Sequence, residues 1–192
     1  MRQVVVFNRI TLDGLFAGPH GEIDWFIGDG GLDRAVHGVG KSDTLLMGRV
    51  TYQMFESFWP KVGADPKAPP ELKATAQELD LMQKVVFSRT LGEVTWENAR
   101  LAKAGPVEEV RRLKDGTGLG MLIFGSGTIV QLLTAQGLID EYLLAVTPVI
   151  LGAGKPLFAG HAGAELRLVE ARSFETGNVL LRYRWKGIEG RD

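Results

Sequence analysis

The chain has 192 residues, 45% of them hydrophobic, and its 22 basic and 23 acidic side chains give a formal charge of −1. This length suits one domain or at most two small ones, and the absence of cysteine excludes thiolate zinc sites, iron–sulfur clusters and a cysteine nucleophile. The charge balance lacks the basic footprint of a nucleic-acid binder, and the apolar stretch from Tyr142 to Gly154 is shorter than a membrane span. We therefore expect a cytoplasmic protein that binds neither nucleic acid nor membranes.

The first 60 residues predict two strands, a long loop and two helices. Val4–Phe7 is a β-branched and aromatic run, which is typical of a buried strand. Residues 11–31 are rich in glycine, and a loop this long in a compact domain is often a functional lid. A short helix over 32–40 and a strand at Thr44–Met47 follow. Val50–Phe58 is the second predicted helix.

The middle of the chain alternates in the same way. Lys61–Pro70 contains three prolines and is predicted to be an exposed loop. A helix over Glu71–Met82 leads to a strand at Lys84–Phe87, and Glu93–Trp96 is predicted to be a further short strand. Pro106–Leu113 has helical end chemistry, with Pro at its first position, acidic residues in its first turn and basic residues near its end.

The last third predicts one more strand–helix unit and then strands alone. Met121–Phe124 is a strand and Thr128–Ala135 a helix. Tyr142–Leu151 is almost wholly apolar, as expected for a strand covered on both faces. Glu165–Phe174 and Asn178–Trp185 form a hairpin. The order predicts one α/β domain over residues 1–192, with a mainly parallel sheet, flanking helices and antiparallel strands at the C-terminal end.

Two strand-to-helix junctions carry small residues and a hydroxyl where a helix begins. The first contains Gly48, Arg49 and Thr51, and the second contains Gly125, Ser126, Gly127, Thr128 and Ile129. Because a helix N-terminus presents unpaired N–H groups and a partial positive charge, such junctions attract anions, and two on neighbouring strands can hold a pyrophosphate. Neither is a complete dinucleotide-binding fingerprint. The alternative is that Ser126 and Thr128 only cap a helix.

A third strand end, Ser88-Arg89, again combines a hydroxyl with an arginine. Arg49 and Arg89 are both expected at the carboxyl edge of the sheet, where open α/β sheets bind ligands. Two guanidinium groups and a hydroxyl suit a phosphate monoester, which on a dinucleotide is the 2′-phosphate of NADP. The alternative is two solvated surface arginines.

Reactive groups are harder to identify. Asp24 and Asp33 lie in or after the glycine-rich loop and are candidates to supply or relay a proton, although most acidic residues here are expected to serve turns and caps. Trp25 is a candidate to flank a flat ring. The three histidines show no metal-ligand spacing, so no metal site is expected.

Four stretches of the chain, taken in order, resemble the dihydrofolate reductase-like superfamily. They are 11–17, 42–51, 124–128 and 137–152. The closer resemblance is to the C-terminal reductase domain of the bacterial riboflavin-biosynthesis deaminase/reductases (RibD), here without the deaminase half.

This resemblance implies a dihydrofolate reductase-like three-layer fold with an eight-stranded mixed sheet, and NADPH as the hydride donor. It assigns the residues of the two junctions to the cofactor phosphates, and Ser88 and Arg89 to the adenosine 2′-phosphate. The loop departs from that of dihydrofolate reductases proper, since Asp24 precedes Trp25 and position 30, five residues after the tryptophan, is glycine where they carry an acid.

The sequence thus predicts an NADPH-dependent reductase of a small heterocyclic, carbonyl or imine substrate, such as a riboflavin-pathway pyrimidine. A non-catalytic NADP-binding sensor or partner protein and a true dihydrofolate reductase are the alternatives. A homodimer is expected by family analogy, with the apolar run Val146–Leu151 as a candidate for its interface.

Overall fold

An eight-stranded sheet with helices packed on both faces dominates the described part of this computed structural model, which comprises residues 1–37, 41–159 and 163–186. The strands are β1 (Val4–Thr11), β2 (Leu15–Ala17), β3 (Ser42–Gly48), β4 (Gln83–Phe87), β5 (Ala99–Leu101), β6 (Gly120–Phe124), β7 (Glu141–Thr147), β8 (Lys155–Pro156), β9 (Leu166–Ser173) and β10 (Val179–Trp185). The helices are α1 (Gly30–His37), α2 (Arg49–Ala64), α3 (Pro70–Leu81), α4 (Pro106–Asp115) and α5 (Gly127–Ala135).

The strand order of the main sheet is β5-β4-β3-β6-β1-β7-β10-β9, while β2 and β8 form a separate two-stranded sheet. The first six strands of the main sheet pair in parallel, and β10 pairs antiparallel with both β7 and β9. This is the mainly parallel sheet with antiparallel C-terminal strands that the sequence predicts.

The parallel register brings the ends of several strands to one edge. Gly48 at the end of β3 lies opposite Phe87 of β4, and Phe7 of β1 lies opposite Phe124, the last residue of β6. The residues that follow β3, β4 and β6 are therefore neighbours at the carboxyl edge of the sheet.

Alternating residues of the strands fill two cores. On one face, Ile129, Val130 and Leu133 of α5 pack with Val4 and Val6 of β1, Leu46 of β3 and Ile123 of β6. On the other face, Tyr52 of α2 and Leu79 of α3 pack with Leu45 and Met47, and Leu32 of α1 packs with Leu143 and Leu180. Because successive strand residues point to opposite faces, α4 and α5 cover one side of the sheet and α1, α2 and α3 the other.

Helix α2 is longer than predicted. It continues through Pro60 to Ala64, so the prediction that Lys61–Pro70 is wholly a loop is wrong at its N-terminal end. Proline removes a donor inside the helix, but Lys61 and Val62 still offer their carbonyl groups to the N–H of Asp65, which closes the last turn. Of the predicted helix over 32–40, residues 38–40 lie outside the described part.

The short strand predicted at Glu93–Trp96 is also wrong, because the fifth strand forms at Ala99–Leu101 instead. The N–H groups of Thr95 and Trp96 donate to the Tyr52 hydroxyl, at 2.9 and 3.0 Å, and not to a neighbouring strand. A side chain of α2 thus supplies the acceptor that a sheet would have supplied.

Two further differences concern the loops. Residues 11–31 contain β2, which pairs with β8, so this segment is not irregular throughout. The apolar strand predicted at Tyr142–Leu151 ends at Thr147, since Pro148 cannot donate to a ladder. In the described part, none of the helices combines the length and the apolar character needed to cross a membrane.

Candidate functional site

Ser126 ties the two predicted junctions together. The N–H of Gly48, at the end of β3, donates to Ser126 Oγ at 2.7 Å, and Thr51 Oγ1 of α2 lies 3.0 Å from the same oxygen. Ser126 has the left-handed backbone conformation, with φ of 56°, which is uncommon for a residue with a side chain. This conformation lets one hydroxyl fix the start of α2 relative to the start of α5.

Neither helix start is capped by a side chain. Ser126 and Gly48 occupy the N-cap positions of α5 and α2, but no side-chain hydrogen bond caps either helix, and neither first turn contains an acidic residue. The alternative in which Ser126 caps α5 is therefore wrong, because its hydroxyl contacts the other helix. The first amide groups of both helices keep the character of an anion site.

The glycines of the second junction have a packing role of their own. A Cβ on Gly127 would lie 2.6 Å from Cζ of Phe16, and one on Gly125 would lie 3.1 Å from Thr51 Oγ1 with φ of +54° at that residue. Bulkier residues would collide at both positions. Glycine alone is thus not a sign of a ligand here, and the uncapped helix starts carry that inference.

The arginine side chains at this edge are exposed. Arg49 is the first residue of α2, and its Nη1 donates to Gln53 Oε1 at 3.1 Å. Ser88, directly after β4, accepts hydrogen bonds on its hydroxyl oxygen from the N–H groups of Thr90 and Leu91, at 3.1 and 2.9 Å, and Arg89 is exposed. Because β3 and β4 are adjacent, Arg49 and Ser88-Arg89 follow neighbouring strand ends.

The acidic candidates occupy different positions. Asp33, in the first turn of α1, forms an ion pair of 2.5 Å with Arg9 of β1, and its side chain is 54% exposed. Asp24 is exposed on the loop, and Trp25 is half-buried with its Nε1 donating to the Glu22 carbonyl at 3.3 Å. In the residues that the structure describes, no hydrogen bond or ion pair links these three to the junctions.

Asp29 and Arg9 are two residues that position the loop, and the sequence did not single them out for this. Asp29 caps α1 by accepting from the N–H groups of Gly31 and Leu32. The pKa of Asp29 is lowered, above all by the hydroxyl of Thr176. Arg9 Nη1 donates to the Ile27 carbonyl at 3.1 Å, so β1 holds the C-terminal end of the loop. The sequence feature that could have identified Arg9 is a charged residue within an otherwise mainly apolar strand.

Asp13 holds the other end of the loop. Its carboxylate accepts from the Thr11 hydroxyl at 2.5 Å and from the N–H of Gly152 at 2.8 Å. Two of the stretches that carry the family resemblance, 11–17 and 137–152, are therefore in direct contact.

Acid should weaken this contact. The Thr11 hydroxyl, followed by the Gly152 N–H, lowers the pKa of Asp13 from its ordinary value of 3.8. A carboxyl group whose pKa is lower in the folded state than in the unfolded state stabilises the fold at pH values above its unfolded-state pKa. This stabilisation is lost as the pH falls through the folded-state pKa. We expect the stability difference between the wild type and Asp13→Asn to be constant at neutral pH and to shrink below pH 3.8, as measured by urea unfolding. A difference that does not depend on pH would contradict this role.

Removing the Ser126 hydroxyl should loosen the junction. In Ser126→Ala the Gly48 N–H loses its acceptor, so we expect a loss of about 1 kcal/mol in the free energy of unfolding. Ser126→Gly, which loses the same bond but relieves the left-handed backbone, should lose less than the alanine variant. Urea unfolding of both variants provides the comparison, and equal stability of wild type and Ser126→Ala would exclude a stabilising link.

Comparison with known proteins agrees with this architecture. The chain matches the model of the RibD C-terminal domain family over residues 2–180. It is 33% identical over 187 residues to the uncharacterized protein YyaP of Bacillus subtilis (strain 168), a match that covers 97% of this chain and 96% of that protein.

Solved structures show the same fold. A protein of Shewanella sp. PV-4 described as a riboflavin biosynthesis protein is 25% identical, with a TM-score of 0.71 over 96% of this chain and 99% of that one. Dihydrofolate reductase of Enterococcus faecalis, complexed with NADP(H), is 15% identical with a TM-score of 0.63 over 96% of each chain, which confirms the predicted dihydrofolate reductase-like fold. The chain belongs to the RibD C-terminal domain family.

Proposed function

We propose that the protein is an NADPH-dependent reductase of a small heterocyclic, carbonyl or imine substrate. The observation that carries the proposal is the pair of uncapped helix starts at the sheet edge, fixed to each other by Ser126. Membership of the RibD C-terminal domain family, in which the sequence resemblance implies a reductase, supports the same reaction class.

The residues at this edge fit the phosphate groups of NADP. Gly48 and Thr51 lie at the start of α2, and Gly125, Ser126, Gly127, Thr128 and Ile129 form the start of α5, so together they would hold the pyrophosphate. Arg49 and Arg89 are exposed and lie at neighbouring strand ends with Ser88, where they would bind the 2′-phosphate through charged hydrogen bonds. When bound, the cofactor supplies a hydride.

The substrate side is assigned to the loop and to α1. Trp25 would flank a flat ring, and Asp33 or Asp24 would supply or relay the proton that accompanies the hydride. Asp33 is held in place by its ion pair with Arg9. Asp24 is exposed and is the freer of the two acids. Hydride transfer needs little other side-chain chemistry, since ring alignment and exclusion of water contribute most.

A riboflavin-pathway pyrimidine is one specific substrate within this proposal. Its support is the 25% identical Shewanella protein described as a riboflavin biosynthesis protein. The non-catalytic NADP-binding protein and the true dihydrofolate reductase remain alternatives that the same experiment separates.

The experiment has two stages. Calorimetric titration with NADPH and NADH tests the cofactor site, and the proposal requires that NADPH bind more tightly. Stopped-flow absorbance at the nicotinamide band, with a panel of pteridines, pyrimidines and quinones, then tests turnover. Oxidation of NADPH by dihydrofolate and by no other compound of the panel would favour a true dihydrofolate reductase. Tight binding of NADPH without turnover of any compound would favour the sensor. Absence of NADPH binding would refute the proposal altogether.

A further inference from the structure

Asn8 interrupts an apolar face of the central strand β1. Its neighbours on that face, Val6 and Ile10, belong to the core beneath α4 and α5. Asn8 is only 4% exposed, and its Oδ1 is buried without a hydrogen-bond partner among the described residues. Buried side-chain acceptors almost always have a donor, so an unpaired amide oxygen in this position calls for a donor from outside the described residues.

The order of the strands predicts which part of a bound dinucleotide lies near Asn8. Ser88 and Arg89 follow β4, Gly48 ends β3 and Ser126 follows β6, and the next strand in the sheet is β1. Neighbouring strands lie about 4.8 Å apart, so β1 lies about 14 Å from β4. A dinucleotide with its 2′-phosphate at β4 and its pyrophosphate between β3 and β6 therefore extends its nicotinamide end towards β1.

Asn8 also lies level with the second junction. Phe7 is opposite Phe124 in the parallel register, which places Asn8 beside Gly125, one residue before Ser126. The alternation of β1 puts Asn8 on the same face of the sheet as α5.

Two other buried polar atoms, Thr147 Oγ1 and Asn178 Oδ1, also have no partner within the described residues. Thr147 is the last residue of β7 and Asn178 directly precedes β10, so both lie beyond β1 in the strand order. Alternation along these strands places both side chains on the sheet face that α1 covers. The amide nitrogen of Asn178 donates to the Ile27 carbonyl at 3.4 Å, which places this residue under the loop. Asn8 is the member of the three on the α5 face.

We propose that Asn8 binds the carboxamide of the nicotinamide ring. The inference rests on the proposed function, because it requires that the protein bind NADP. A primary amide offers one acceptor oxygen and two N–H donors, and the nicotinamide carboxamide offers the same set, so Asn8 Oδ1 accepts an N–H from the ligand. A hydrogen bond to this group limits rotation of the ring and selects ligands that carry an amide at this position.

The test compares three ligands by titration calorimetry. NADP⁺ carries the carboxamide, its 3-acetylpyridine analogue has a methyl group in place of the amide nitrogen, and 2′,5′-ADP lacks the ring. We expect Asn8→Leu to weaken NADP⁺ about tenfold, the equivalent of one hydrogen bond, and to leave 2′,5′-ADP unchanged. The acetylpyridine analogue should bind wild type and Asn8→Leu equally. Thr147→Val, which removes an unpaired atom from the opposite face, is the matched control and should bind all three ligands like wild type.

The outcomes separate this inference from the proposed function. If the wild type binds 2′,5′-ADP and NADP⁺ but Asn8→Leu binds NADP⁺ equally well, the role of Asn8 is refuted and the cofactor site stands. If the wild type binds neither ligand, the proposed function fails, and the inference with it. Asn8→Ala provides a second variant should the leucine fold poorly. A loss of 2′,5′-ADP affinity in both variants would make Asn8 a structural residue and overturn the inference.

Discussion

Arg49→Ala is expected to weaken the binding of NADPH by about 1.5–3 kcal/mol, or roughly 10- to 150-fold, and to leave NADH almost unaffected. Arg49 is exposed and hydrogen-bonds Gln53 of its own helix, so its removal leaves no buried group unpaired and the fold should be retained. The loss reports the charged hydrogen bonds to the 2′-phosphate, which NADH lacks. Calorimetric titration of wild type and variant with both cofactors measures it.

The matched control for Arg49 is Arg111. Arg111 also donates a hydrogen bond to a glutamine, Gln136, but it lies on α4 and not at the strand ends. Arg111→Ala should leave both affinities unchanged, whereas Arg89→Ala should repeat the selective loss. An equal loss for NADPH and NADH in Arg49→Ala would assign Arg49 to the pyrophosphate and remove it from discrimination between the two cofactors.

The elements of the fold that were predictable from sequence are those that local pattern determines. Val4–Phe7 and Met121–Phe124 are short apolar runs, and each forms a strand of the parallel core. The pattern at Glu93–Trp96 resembles a strand as well, but its backbone donors are taken by the hydroxyl of Tyr52, more than 40 residues earlier in the chain. A hydrogen bond over that separation leaves no trace in the local sequence.

In the candidate site, too, the local features were predictable from sequence and the long-range contacts were not. The positions of Gly48, Arg49 and Ser126 were predictable because a strand end followed by a helix start is visible within a few residues, and their role in binding stays a prediction. The contact that joins the junctions, from Gly48 N–H to Ser126 Oγ, crosses 78 residues and was not predictable. The Asp13-Gly14 pair is locally typical of a turn, and the contact of Asp13 with Gly152 forms only when distant loops meet. The positions of Asp24, Trp25 and Asp33 around a substrate stay predictions.

Gly127→Val should lower the free energy of unfolding by about 2–3 kcal/mol, because overpacking a well-filled site costs about this much. Gly127 is buried, and a Cβ there would meet the ring of Phe16. Gly92→Val, at an exposed glycine whose Cβ would meet nothing within 4 Å, should change stability by about 0.5 kcal/mol or less. Urea unfolding of both variants measures the difference, and equal effects would show that the contact with Phe16 does not constrain position 127.

The double variant Gly127→Val with Phe16→Ala separates the two reasons for a glycine at this junction. Removing the ring makes room for the valine, so the double variant should be more stable than the sum of the single losses predicts, by about 1 kcal/mol or more. If Phe16 is the sole reason for Gly127, the affinity for NADPH should recover together with the stability. We expect only the stability to recover, because a side chain at the start of α5 also keeps a phosphate from the backbone amides. Recovery of both would leave the start of α5 without a role in phosphate binding and would leave α2 as the anion site.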